Sequence, residues 1–510
     1  MQETINPNIY NIFEKAKQCS NNKNFDLALK YFDGCIKYKS LKNDVLFEEI
    51  KIFYELKDYA KAIKHIKIFL KLKTDKQLRN TIKIFLAKSY KALGEIDKAV
   101  IVLDSIDVKY IKEHFVEFSR ERIDVSYFKF SDFFRVQEFS GDLKKLQKEF
   151  ESLKKLHPQN KKQLFYLSRV SNFLHNYGFT KKLINTYVKN FNYKDIFYDN
   201  AILNEFEIAN RDVVLKSKPR NMWIATSSKC NIKCKMCAAN DANWSLSNKN
   251  IEDIYSYMPY LEQIVWWGGE PTISKTFYEM LNYSLKYKHI KHTIITNGQY
   301  MPQKLINIIS DNNIEVIFSI DSVNKKKYEE IRKGASFDRL TENLSKLSKT
   351  TDANLIKFNV VAMKNTISEI DKIFNFAKKY KIKAISFIPL CGDRMIDDKL
   401  TDMDIIAINK ISKKFKKLKI FHSINMLKKD TGKYKPKGFC HIPWSDITIS
   451  YMGFLCNDNN CSFFGEKIYK LTESNMGEYW NSDIIKNMRK YILKNHYCSR
   501  YCPKLSRNIL

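Results

Sequence analysis

No apolar run in this 510-residue chain approaches the ~20 residues needed to cross a bilayer. No N-terminal stretch joins a basic region to an apolar one, so no signal peptide is expected, and the reading is a cytoplasmic protein. Arginine is scarce as well. Lysine supplies nearly all of the excess behind a formal net charge of +32. The guanidinium group, the better fork for phosphate, is not clustered. With Asn and Ile abundant throughout, the charge reads as a compositional bias spread over solvated helix faces. That argues against nucleic acid as a partner; a functional basic surface is the alternative. Cysteine is what the chain does have, eleven residues of it. In an intracellular chain this favours metal or redox chemistry over a disulfide framework.

Three regions follow one another. Residues 1–210 read as an all-α domain of helical repeats. "NFDLALKYF" (Asn24–Phe32), "DYAKAIKHI" (Asp58–Ile66) and "EIDKAVIVL" (Glu95–Leu103) share a pattern, with Ala28, Ala62 and Ala99 spaced 34 and 37 residues apart. A period near 34 is that of a helix–turn–helix solenoid, in which a small residue lets two helices approach closely. "NYGFTKKLINTYV" (Asn176–Val188) reads as a further, degenerate unit. The units resemble tetratricopeptide repeats, although the Trp-Leu-Gly part of that family's pattern is mostly absent. Such arrays present concave surfaces to peptides or proteins; a purely structural or dimerising role is the alternative.

Residues 217–395 alternate strands with helices, which implies a parallel sheet with helical crossovers. The expected strands are Met222–Thr226, Gln263–Trp267, His292–Thr296, Glu315–Ile320, Leu355–Val361 and Ala384–Ile388, with a helix at Ser368–Tyr380. Six βα units fit a partial TIM barrel, (β/α)6. Residues 396–510 are short on pattern and rich in cysteine.

"TSSKCNIKCKMC" (Thr226–Cys237) follows the first strand, where barrel enzymes carry active-site loops. It offers Cys230, Cys234 and Cys237 but no fourth Cys or His, and the next cysteine is Cys391. A structural zinc site wants four protein ligands. Three thiolates at this spacing can instead hold three irons of a [4Fe–4S] cubane and leave the fourth open.

"CNIKCKMC" resembles the signature of radical S-adenosylmethionine (SAM) enzymes. In that family the fourth iron is chelated by the amino and carboxylate groups of SAM. Further segments resemble the family's in order. "WWGGEPT" (Trp266–Thr272) resembles its glycine-rich motif and implies that Gly268, Gly269, Glu270 and Pro271 contact the cofactor. "TNG" ends the third strand and includes Asn297. "FSIDS" carries Ser319 and Asp321, two apart and so on one face of a strand, where they would hydrogen-bond a ribose. "IRKG" offers Arg332 to the SAM carboxylate, a solvated helix charge being the alternative. "FNVVAM" offers Asn359 and "FIPL" offers Pro389 beside the adenine.

The C-terminal cysteines make a second constellation. Cys440 and Cys456 flank an apparent hairpin with Gly453 at its turn, and "CSRYCP" adds Cys498 and Cys502. This resembles the SPASM and twitch extensions that carry auxiliary clusters, and "EYWNSDIIKNMR" (Glu478–Arg489) resembles their helix. Full SPASM domains use about seven cysteines for two clusters; here there are five. The resemblance implies one auxiliary [4Fe–4S] cluster on Cys440, Cys456, Cys498 and Cys502, with Cys461 spare; structural zinc on the same thiolates is the alternative. Cys391 reads as buried or near the active site, and Cys19 and Cys35 as small core residues. Asp393, Arg394, His441, Asp446 and Asp458 lie near the expected pocket mouth, and each reads first as structural or surface polarity.

The resemblance implies reductive cleavage of SAM to a 5′-deoxyadenosyl radical that takes a hydrogen atom from the substrate. The electron would come from a donor such as flavodoxin or ferredoxin. The sequence does not name the substrate; one hypothesis is a peptide or protein docked on the repeats, and the alternatives are a sugar or nucleotide-linked small molecule, or a non-catalytic repeat scaffold. No general acid or base is assigned.

Overall fold

The structure, a computed structural model, describes residues 7–38, 40–72, 74–93, 98, 102, 106, 143–154, 157–191, 193–382, 384–390, 395–401, 403–404, 406, 421–422, 438–456, 469–471 and 475–496. The chain divides into two compact units, Met1–Asp132 and Phe133–Leu510.

In the first unit, helices α1 (Pro7–Asn21), α2 (Phe25–Cys35), α3 (Lys42–Glu55), α4 (Tyr59–Phe69) and α5 (Lys76–Ala92) pack as successive neighbours. Ala28 and Ala62 are fully buried at the starts of α2 and α4, as the repeat pattern requires of its small residue. The turns between paired helices are built alike. Lys23 and Lys57 take left-handed φ values of 58° and 59°. The next amide reaches back five residues, Asn24 N to Cys19 O and Asp58 N to Phe53 O, both 2.9 Å. This closes the preceding helix in the manner of a left-handed C-terminal cap. Cys35 is buried and Cys19 half-buried. Of the repeat expected at 95–103, only residues 98 and 102 are among those described.

The second unit begins earlier than the boundary expected at 210–217. It takes in helices α6 (Leu143–Leu153), α7 (Lys161–Phe173), α8 (Tyr177–Tyr187) and α9 (Ile196–Asn210). The turn before α8 repeats the geometry above, with His175 at φ 62° and Asn176 N bonded to Ser171 O at 2.8 Å. α7 and α9 are bound to the sheet by buried ions. Arg220, just before the first strand, pairs with Glu205 of α9 at 2.7 Å and with Glu262, before the next core strand, at 3.5 Å; Arg169 of α7 also pairs with Glu262. Burial alone would raise the Glu262 carboxyl, but Arg169 and Arg220 overcome it and hold the group below its ordinary range.

The sheet has ten strands: β1 (Asn221–Ala225), β3 (Gln263–Trp267), β4 (Lys291–Thr296), β5 (Glu315–Ser319), β7 (Ile356–Ala362), β8 (Ala384–Pro389), β9 (Phe421–His422), β10 (Asp446–Ile449), β11 (Phe454–Cys456) and β12 (Tyr469–Lys470). Their order is β12-β11-β10-β1-β3-β4-β5-β7-β8-β9. All neighbours from β10 through β9 are parallel; β10–β11 and β11–β12 are antiparallel. A two-stranded ribbon, β2 (Lys233–Cys234) with β6 (Arg332–Lys333), stands apart. The six expected core strands are present within a residue or two. The C-terminal region is not a detached module, because β10 extends the core sheet beside β1. Its helix is broken: Met476–Trp480 ends, and Ser482 caps a new helix, Asp483–Asn495.

Burial alternates along the core strands, "IKFNVVA" of β7 being buried at every odd position. The buried set, including Ile224, Trp266, Ile294, Phe318, Phe358 and Phe387, forms one core with the covering helices. The other set forms the half-buried opposite face of the sheet.

Candidate functional site

After β1 the chain crosses the strand ends as the cysteine loop. Its base is tied down by Ser228, whose amide bonds Trp244 O at 2.9 Å and whose hydroxyl bonds Ala242 O at 2.8 Å. Its tip is clamped by the β2–β6 ribbon, Cys234 standing opposite Arg332, with Lys235 N bonded to Ile331 O at 2.9 Å. Cys230, Cys234 and Cys237 are each half-buried. Among the described residues no three Cys, His, Asp or Glu side chains converge as a single metal ion would require. Thiolates that each hold a different iron of a cubane are spaced more widely than ligands of one ion.

The glycine pair lies directly under this loop. Gly268 has φ +117°, and a Cβ there would meet Ala225 Cβ at 2.7 Å and Ser227 O at 2.9 Å. A Cβ on Gly269 would stand 2.0 Å from the carbonyl oxygen of Lys229, the residue before Cys230. Gly269 N bonds Ser227 O at 2.9 Å and Glu270 N bonds Lys229 O at 2.8 Å. The motif therefore buttresses the cysteine loop backbone to backbone. Glu270 is buried and saturated: it accepts from the Thr272 amide and hydroxyl, the Thr296 hydroxyl at 2.8 Å and the Asn297 amide at 2.7 Å. Burial still pushes its carboxyl above the ordinary range, these donors opposing it. Its carboxylate ties the end of β3 to the end of β4. Pro271 opens the buried turn that follows.

Asn297, thus anchored, donates from Nδ2 to Asn231 Oδ1 at 2.8 Å and lies 3.6 Å from Cys230 Sγ. β5 ends at Ser319, so Asp321 lies beyond the strand rather than on one face with it. Asp321 pairs with Arg332 at 2.8 Å and accepts from Val361 N at 3.0 Å. Arg332 is buried, not a solvated helix charge, and its Nη1 lies 3.6 Å from Cys234 Sγ. Ser319 and Asn359 are register partners on β5 and β7, on the half-buried face of the sheet. Pro389 ends β8, paired with Ala362. Cys391, Asp393 and Arg394 lie outside the described residues.

Burial lifts the Cys234 thiol to about 11 against the opposing pull of Arg332, and raises Cys230 too. Adjacent half-buried sulfurs that resist ionisation alone, yet have N–H donors aimed at two of them, suit a group that supplies positive charge. A [4Fe–4S] cluster fits Cys230, Cys234 and Cys237 on that chemistry.

The half-buried face of the sheet has two parts. Near the strand starts, Gln263, Thr293 and Glu315 form a hydrogen-bonded chain (3.2 and 3.1 Å) that ends in a Glu315–Lys357 ion pair; Asp446 accepts from Asn221 at 3.2 Å. Toward the strand ends the same face carries Trp267, Ile295, Ile317, Ser319, Asn359, Val361 and Ile388, with Lys357 in register beside Ile317. Trp267 packs edge-on against Trp223 at 6.3 Å and against Tyr451 of the β10–β11 turn at 5.9 Å. Its Nε1 is buried with no hydrogen-bond partner. Sequence reasoning missed this aromatic wall, although period-two alternation in "WWGG" already sends one Trp outward and one inward.

At the C-terminal constellation, Cys440 is buried and Cys456 half-buried at the end of β11. Cys440 N bonds His496 O at 3.0 Å, and His496 Nδ1 lies 2.7 Å from Gly438 O. His441 sits 3.1 Å from the Tyr177 hydroxyl of α8, inside the fold rather than at a pocket mouth. Cys461, Cys498, Cys502 and Asp458 lie outside the described residues.

Residues 224–377 match the family model described as the Radical SAM superfamily. A cysteine-type anaerobic sulfatase-maturating enzyme of Clostridium novyi is 29% identical over 197 residues, covering 34% of this chain and 50% of that protein. A GTP 3′,8-cyclase of Clostridium botulinum is 25% identical over 198 residues, covering 36% of this chain and 62% of that protein. The crystal structure of Streptococcus suis SuiB bound to precursor peptide SuiA aligns at TM-score 0.48 and 14% identity, over 68% of this chain and 93% of that one. This chain thus spans between half and two thirds of the length of these two curated relatives. The cofactors the site takes are a [4Fe–4S] cluster and SAM.

Proposed function

We propose that this chain is a radical SAM enzyme that modifies a peptide or protein. The observation that carries the substrate class is the half-buried sheet face toward the strand ends, where Trp267, Ile295, Val361 and Ile388 present aromatic and aliphatic surface beside the polar Ser319 and Asn359. An apolar or aromatic side chain of a polypeptide fits that surface. Similarity to a sulfatase-maturating enzyme supports the same reading. When bound, the cluster and SAM supply a 5′-deoxyadenosyl radical able to remove a hydrogen atom from an unactivated C–H bond. The chain's own part is to position. Gly268 and Gly269 hold the cysteine loop, Asn359 and Ser319 offer polar contacts to the SAM nucleoside, and the aromatic wall shields the reacting centre from water. The electron donor is of flavodoxin or ferredoxin type.

Cys440, Cys456, Cys498 and Cys502 hold an auxiliary cluster in a SPASM- or twitch-like extension. The Cys440–His496 hydrogen bond supports this, because it brings the chain two residues from Cys498 beside Cys440. The N-terminal helices are tetratricopeptide-like and dock the polypeptide; their recurring turn at Lys23 and Lys57 supports the repeat. A small-molecule substrate is the second reading, favoured by the similarity to a GTP 3′,8-cyclase and by an aromatic wall able to stack a flat ring.

The test is SAM turnover by anaerobically reconstituted protein with dithionite. Blocked peptides presenting Tyr, Trp, Leu or Ile should accelerate 5′-deoxyadenosine release, and Trp267→Ala should weaken the effect several-fold. Acceleration by GTP or a nucleotide sugar, and by no peptide, would refute the polypeptide reading.

A further inference from the structure

Two buried N–H donors address the sulfurs of the cysteine loop, and the geometry of each is set from behind. Arg332 Nη1 is 3.6 Å from Cys234 Sγ, while its Nη2 is held at 2.8 Å by Asp321, itself fixed by Val361 N. The Arg332 and Asp321 side chains are 7% and 1% exposed, so little solvent screens the guanidinium from the sulfur. Asn297 Nδ2 is 3.6 Å from Cys230 Sγ. Its orientation is determined, because Oδ1 accepts from Gln299 N at 2.9 Å and Nδ2 also donates to Asn231 Oδ1. The amide therefore turns its N–H, not its oxygen, to the sulfur. Glu270 fixes the Asn297 backbone.

Both donors point at sulfur, and reduction adds one negative charge to a cluster whose thiolates already carry three. N–H donors and a nearby cation stabilise the more negative state and raise the potential. We propose that Arg332 and Asn297 are positioning residues that set the reduction potential of the triad cluster, through Cys234 and Cys230 respectively. With a cluster bound, one electron would pass to it from a low-potential reductant, with no bond formed or broken. Asp321 and Glu270 act behind them, one holding the guanidinium and the other the amide.

The experiment is a dithionite-poised redox titration of the full-length reconstituted protein without SAM, followed by electron paramagnetic resonance. The triad signal is identified as the one lost in Cys230→Ala. Asn297→Ala should shift its midpoint to more negative potential. Arg332→Gln made together with Asp321→Asn, which leaves no lone buried charge, should shift it further. Arg332→Lys, which keeps a cation but not the fork, should fall between this pair and the parent. Iron content should stay at the parental level. An unmoved midpoint in all three variants overturns the proposal. So does a tenfold loss of SAM affinity with an unmoved midpoint, which would return Arg332 to binding the SAM carboxylate. A variant that keeps its circular dichroism yet loads no iron also counts against it, since donors at this distance tune a cluster and do not hold it.

Discussion

At the scale of single residues, Gly269 shows how a motif's reading changes once its neighbours are known. Its resemblance to a SAM-binding motif suggests that a side chain there would invade the cofactor's space. The structure places a nearer obstacle, the Lys229 carbonyl at 2.0 Å from any Cβ. Gly269→Ala should therefore displace the loop that carries Cys230, at a cost of roughly 1–3 kcal/mol for an overpacked position. The expected result is a lower melting temperature and less iron on the triad, measured after reconstitution in a Cys498→Ala/Cys502→Ala background. Full iron in that variant would mean that the two loops are independent. Glu270 carries the same lesson. Its place beside the glycines suggests a ligand contact, but four donors from Thr272, Thr296 and Asn297 occupy it.

At the scale of elements, strands and covering helices were legible because alternation of period two and amphipathic spacing are local properties. β3 runs over Gln263–Trp267 as expected, and β8 extends one residue past its expected end. The helical character of the N-terminal region was legible for the same reason, and three of its turns place Lys23, Lys57 and His175 at left-handed φ. How the C-terminal helix attaches was not legible, since it depends on Arg489. This fully buried residue donates to Pro443 O, Val213 O and Trp480 O at 2.8–2.9 Å and to Asn481 Oδ1 at 3.1 Å. One guanidinium thus joins the helix Asp483–Asn495, the segment after Cys440 and the loop leading from α9. Arg489→Met should destabilise the second unit by roughly 1–3 kcal/mol or more, since each buried carbonyl left without its donor costs about that much. Calorimetry that finds the two proteins melting within a degree of each other would show the network to be dispensable.

At the scale of the whole molecule, the division of the chain falls at Asp132 and Phe133. Helical composition is continuous to residue 210, so pattern alone assigns α6–α9 to the repeats. Arg169, Glu205, Arg220 and Glu262 assign α7 and α9 to the barrel instead. A protein starting at Phe133 should remain folded and keep its iron. One starting at Ser217 should aggregate, because it leaves Glu262 and Arg220 without Arg169 and Glu205. Solubility and a cooperative melt of the shorter protein would show that α7 and α9 are accessory. The sequence by itself determined the parallel core strands, the cysteine loop after the first of them and the order of the motifs, because each rests on local spacing. Only the tertiary structure decided which helices belong to the barrel, that the C-terminal hairpin extends the sheet beside β1, and that Trp223, Trp267 and Tyr451 meet. Those outcomes depend on buried charges and aromatic rings far apart in the chain, whose partners no local pattern names.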